Sequence, residues 1–135
     1  MPEYNWDASY SVGVDSIDVQ HQKLFKIINN LNQAMLAGNA RSMVDGIVAE
    51  LKAYTIEHFT EEERLMTLAN YSDLINHKKL HQDFIVKVSE MQQKLNEGKM
   101  LTLSIEVMDF IGSWLINHIK GVDKLYTQAM KDSGI

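Results

Sequence analysis

After residue 16 the apolar positions step by three and four along nearly all of the chain, the period of helices buried on one side. Ile17, His21, Leu24, Ile28, Leu31 and Met35 form a first stripe, followed by Gly38-Asn39, a pair suited to a helix C-terminus. Val44, Ile47, Leu51, Tyr54, His58, Glu62 and Met66 form a second. The pattern breaks from Asn70 to Ser72, and Ser72 or Asp73 can cap the helix that follows. Its stripe is Leu74, His77, His81, Phe84, Val88, Met91 and Leu95, stopped by Gly98. The fourth runs Leu103, Val107, Phe110 with Ile111, Trp114, His118, then Val122 and Leu125. Residues 1–16 lack the period and scatter Tyr4, Trp6 and Tyr10 among polar residues, as expected of an irregular arm that packs back through its aromatics. The pattern predicts an all-α protein, an up-down-up-down antiparallel four-helix bundle. The expected arm covers about 1–16 and the helices about 17–37, 41–68, 73–97 and 102–130, in one domain spanning 1–135.

Composition narrows what such a bundle does. Thirteen Lys and Arg against eighteen Asp and Glu leave a net charge of −5, so no basic excess exists to neutralise nucleic-acid phosphates or anionic lipid. No apolar run approaches the ~20 residues of a membrane span. The start, MPEYNWDASY, has neither a basic nor an apolar leader region, and the expected address is the cytoplasm. The absence of cysteine excludes disulfides, thiolate metal sites and cysteine nucleophiles. Any metal must be held by imidazole and carboxylate.

All five histidines, His21, His58, His77, His81 and His118, fall on the core-facing stripes. One such residue is ordinarily a core histidine bonded to a nearby carbonyl. Five of five is different, because each brings polar nitrogens that an apolar core cannot satisfy. His77 and His81, at i and i+4, lie about 40° apart on one helix face, which suits two ligands on one ion. His58 and Glu62 repeat that spacing. His118 and Asp123, at i+5, would diverge by about 140° on an ideal α-helix; a π-type widening near Gly121 would turn both inward, the alternative for Asp123 being a solvated charge near a helix end. Of the run Glu61–Glu63, Glu62 continues the inward stripe, Glu61 reads as solvated, and Glu63, one step off it, is either a support behind a ligand or a surface charge. Met35, Met43, Met66, Met91 and Met108 occupy or border the stripes as core filling.

Five imidazoles and two carboxylates are too many for one ion, and without thiolate they suit iron, manganese, zinc or copper. Two octahedral ions that share both carboxylates and a solvent-derived bridge would have every position filled but one, on the ion with fewer histidines. Neither the Glu-x-x-His repeat of carboxylate-rich di-iron bundles nor a His-Glu-x-x-His zinc motif is present.

The stretches YSVGVDSIDVQH (10–21), HFTEEERLM (58–66), HKKLH (77–81) and WLINHIKGVD (114–123) resemble the hemerythrin family, in the form of a stand-alone bacterial hemerythrin. The resemblance implies reversible dioxygen binding at a non-haem di-iron centre rather than enzyme activity. It assigns His77, His81 and His118 to one iron and His21 and His58 to the other. Glu62, Asp123 and a solvent-derived oxo or hydroxo group would bridge the two irons. Phe59, Trp114, Leu115, Ile119 and Tyr126 would wall the dioxygen pocket. The roles it suggests are storage, delivery to an oxygen-using enzyme, or scavenging. The alternatives are an oxygen, redox or nitric-oxide sensor, or a weak di-iron oxidase or peroxidase.

Overall fold

A computed structural model describes residues 4–98 and 102–135. Residues 1–3, where the arm is expected to begin, and residues 99–101 lie outside that description. Helix α1 spans Asp15–Leu36, α2 Ala40–Leu68 and α3 Leu74–Asn96. The fourth rod begins as α4, Leu103–Ser113, widens into a π-helix over Trp114–Val122, tightens to a 3-10 turn at Asp123–Tyr126 and ends as α5, Thr127–Asp132. The rods pack α1 on α2, α2 on α3, α3 on α4 and α4 on α1, which closes an antiparallel four-helix bundle. No strand occurs among the described residues, and no helix there is long and apolar enough to cross a membrane.

The connections follow from backbone chemistry. Gly38 and Gly98 take φ of +76° and +73° just past the C-termini of α1 and α3, where a residue with a Cβ is strained. Asn70 does the same work after α2 at φ +52°. Asp73 stands at the N-cap of α3 without capping it through its side chain; its carboxylate accepts from the Asn76 amide at 2.7 Å instead.

Two apolar clusters flank the middle of the bundle. The larger takes in Leu24, Ile28, Leu51, Phe84, Val107 and Ile111, and the smaller gathers Val12, Ile17, Met66, Tyr126 and Met130 at the other end. Leu125 departs from its expected stripe, being 65% exposed, and Met43, expected as core filling at a stripe's border, is 46% exposed. Met43 sits at the rim of the α1–α2 end. Leu125 is turned outward because the π and 3-10 segments shift the phase of the rod, and Tyr126 takes the inward place.

The arm packs back through its aromatics. Tyr10 and Trp6 meet Phe25 edge-on at 4.7 and 5.5 Å, and Lys120 lies over the Tyr10 ring at 5.2 Å. Polar bonds fix the register. The Asn29 side chain both accepts from the Tyr4 N–H at 3.0 Å and donates to the Tyr4 carbonyl at 2.6 Å. Asp18, in the first turn of α1, accepts from the Ser11 hydroxyl at 2.6 Å and the Val12 N–H at 2.9 Å. Because both bonds end on a carboxylate, Asp18→Ala should lower unfolding free energy by about 1–3 kcal/mol. Urea denaturation checks this, and an unchanged midpoint would remove the arm's anchor from the account.

Candidate metal centre

Each rod delivers its share of a buried polar centre between the two apolar clusters. α1 supplies His21, α2 His58 and Glu62, α3 His77 and His81, and the π-helix His118, with Asp123 just beyond it. None of the seven is more than 4% exposed. The π-helix is what brings the last pair together. The Asp123 N–H bonds to the His118 carbonyl five residues back, so the widened turn stacks the two side chains on one face. Gly121 lies on the outer side, with nothing within 4 Å of where a Cβ would sit, so space does not demand glycine there.

The ligand-type atoms fall into two groups, within each of which all lie within 4.8 Å of one another. Glu62, His77, His81, His118 and Asp123 make one; His21, His58, Glu62 and Asp123 make the other. Both carboxylates are divided oxygen by oxygen. Glu62 Oε1 lies 2.8 and 2.9 Å from Nε2 of His77 and His81, while Oε2 lies 3.0 and 3.5 Å from Nε2 of His58 and His21. Asp123 Oδ1 lies 2.9 Å from Nε2 of both His77 and His118, and Oδ2 lies 3.1 Å from Nε2 of His21.

Hydrogen bonds alone do not account for these approaches. The Glu63 carboxylate accepts from Nδ1 of His81 at 2.8 Å, so a neutral His81 ring carries its proton there and presents the Nε2 lone pair to the centre. That lone pair would face a Glu62 oxygen at 2.9 Å. Gln20 Oε1 accepts from Nδ1 of His58 at 2.7 Å, with the same consequence. Nε2 of His58 and His21 face each other at 3.1 Å. His118 Nε2 and Asp123 Oδ1 are buried, 2.9 Å apart, and neither makes a hydrogen bond of acceptable geometry. A cation at each of the two foci would satisfy these atoms, so the donor set fits a pair of metal ions.

The protein without metal must place protons there instead. Burial disfavours charge on His21 and His77, but Asp123 and Glu62 outweigh it and push both up to about 9. Burial dominates at His58 and lowers it. Burial would raise Glu62, yet His58 and the other imidazoles hold it well below the usual carboxylate range. Asp123 is lowered as well, its burial and the charge of Glu62 being outweighed by His118 and His21.

Around the ligand-type atoms the structure separates the expected pocket residues. Phe59, Leu115 and Ile119 are buried in the larger cluster, with Trp114 packed against it. Phe59 stacks on His81 at 3.8 Å and Trp114 on His118 at 3.7 Å. Tyr126 lies in the smaller cluster and donates its hydroxyl to Glu62 Oε2 at 3.2 Å, so it is a polar partner of the centre rather than apolar wall. Glu61 pairs with Arg64 on the surface. The stripes did not single out Gln20, because it lies beside His21 rather than on the apolar face.

A four-helix bundle with a buried, thiol-free histidine and carboxylate centre is a class of metal-binding protein. The family model described as the hemerythrin HHE cation binding domain matches residues 12–129, and the chain belongs to the hemerythrin family. It is 33% identical to a bacteriohemerythrin of Stenotrophomonas maltophilia, over 93% of this chain and 80% of that protein. It is 36% identical to a myohemerythrin of Riftia pachyptila, over 91% and 90%. A crystal structure of wild-type hemerythrin superimposes with a TM-score of 0.83 at 30% identity, covering 94% of this chain and 97% of that one.

The shifted histidines give a pH test. With folded values about 9 against an ordinary 6.5, protonated His21 and His77 stabilise the metal-free fold fully below pH 6.5, and that stability is lost as pH rises towards 9. His58, being lowered, acts only below that window. Metal competes with the same protons and binds more tightly as they leave. Thermal melts at pH 6.5 and 9 should show the metal-free Tm falling and its gap to the metal-loaded form widening; a constant gap would contradict the proton-for-metal exchange.

Proposed function

We propose that this protein binds dioxygen reversibly at two iron ions held in the buried centre. The observation that carries the reading is the division of Glu62 and Asp123, oxygen by oxygen, between a five-donor and a four-donor group. His77, His81 and His118 would hold one iron and His21 and His58 the other. Glu62, Asp123 and a solvent-derived oxo or hydroxo group would bridge them. An imidazole and carboxylate set without thiolate is suited to iron. Bound there, paired ferrous ions supply two reducing equivalents at one place, the redox chemistry by which dioxygen is taken up and given back.

The chain's own residues govern what that chemistry meets. Gln20 and Glu63 fix the His58 and His81 rings by holding their outer protons. Tyr126 steadies Glu62 through its hydroxyl. Phe59, Leu115 and Ile119, with Trp114 partly covering them, keep water from the centre, and so oppose irreversible oxidation. The four-donor group has fewer protein ligands, so an ion held by its two histidines would be the one open to a small molecule. Binding and release, rather than turnover, is the activity, and relatives bearing the names bacteriohemerythrin and myohemerythrin support it. Storage, delivery to an oxygen-using enzyme, or scavenging in the cytoplasm is the setting.

Anaerobic loading with ferrous iron, then air, then removal of oxygen, should give a visible charge-transfer band that appears and disappears over repeated cycles. A band that forms once and persists would overturn reversible carriage. His77 lies within 2.9 Å of both carboxylates, so His77→Leu should lower the bound iron per chain as measured by elemental analysis. Wild-type iron content in that variant would remove His77 from the ligand set.

A further inference from the structure

Two tyrosines are buried against the centre, and they differ in one respect. Tyr126 donates to Glu62, whereas the Tyr54 hydroxyl, on a residue 1% exposed, has no hydrogen-bond partner at all. Orphaned buried hydroxyls are rare, since the group gives up its water for nothing. Tyr54 lies one turn before His58 on α2, and its ring stacks on that imidazole at 5.1 Å and 14°. The phenol is thus packed directly on a ligand-type side chain of the centre, yet its hydroxyl bonds to no oxygen or nitrogen there. The side matters. His58 belongs to the four-donor group, the half with fewer protein ligands. The indole N–H of Trp114 also lacks a partner, but Trp114 stacks on His118, in the five-donor half.

We infer that the Tyr54 hydroxyl is kept free to donate a hydrogen bond to the small ligand held at the two-histidine half, dioxygen or a compact anion. The inference rests on the di-iron reading above. Tyr54 is then a ligand-binding residue of this chain: its phenol stays in place without a partner, and bonds only when a ligand with an accepting outer atom arrives. An apolar residue at this position would pack equally well against His58 and would give no such bond.

The test uses Tyr54→Phe, which keeps the ring and its stacking. Azide, a linear anion, is titrated into the oxidised, iron-loaded protein, and metal-free samples of both forms are melted. Loss of a hydrogen bond to a charged ligand should weaken azide binding about tenfold or more. The metal-free variant should melt no lower than the parent, because the hydroxyl removed had no partner in the protein. Azide affinity within about twofold of the parent would overturn the inference, given the strength of a charge-assisted bond. A metal-free Tm several degrees lower would also overturn it, by assigning the hydroxyl a structural bond. Azide titration does not depend on oxygen release, so a parent that binds azide and fails to release dioxygen would sink reversible carriage and leave this inference standing.

Discussion

Repulsion between lone pairs is the constraint around which this bundle is organised. Glu63 accepts from the outer nitrogen of His81, so a neutral ring turns its inner lone pair on a Glu62 oxygen at 2.9 Å, a conflict that a cation would relieve. The same conflict recurs at His58, where Gln20 takes the outer proton. A core of this kind is unstable without positive charge at its middle. Protons on His21 and His77, both pushed up to about 9, supply that charge in the metal-free chain, and metal ions would supply it in a loaded one. The two apolar clusters lie on either side of the polar layer, so it is sealed from water at both ends of the bundle.

The fourth rod bears the geometric cost of building the layer. Three helices present their ligand-type side chains at ordinary i,i+4 spacing or singly, but His118 and Asp123 are five apart and need a wider turn. The widening extends from Trp114 to Val122, and a tight 3-10 turn follows before regular helix resumes. This change of pitch reverses the facing of Leu125 and Tyr126. It thereby brings the Tyr126 hydroxyl onto Glu62, which an uninterrupted α-helix in the expected phase would not do. Shape at the centre and satisfaction of its polar atoms thus come from a single local departure.

Much of the bundle was legible in the sequence because burial on one face imposes a period that survives in residue type. The stripes from Ile17 to Leu95 describe faces that are buried or nearly so in the structure. Gly38 and Gly98 mark helix ends because only a left-handed residue turns the chain there. The meeting of the seven ligand-type side chains was legible for the same reason, polar residues standing where only apolar ones belong. The i+5 spacing of His118 and Asp123 carried a warning of local widening, although it did not disclose that the π-helix begins at Trp114. Gly121 was part of that warning and turns out to face open space.

What was not legible depends on contacts between helices. Gln20 reaches His58 across thirty-eight positions of chain, and no spacing on α1 announces it. Glu63 stood one step off its stripe; only the placement of α3 shows that this offset lets it meet His81 from outside. Tyr126 read as wall because its ring is apolar, whereas its hydroxyl decides its role. Occupation of this layer by two cations is decided by counting iron and protein in the same purified, iron-reconstituted sample. Two occupied positions require two iron atoms for each polypeptide; one or none would contradict them.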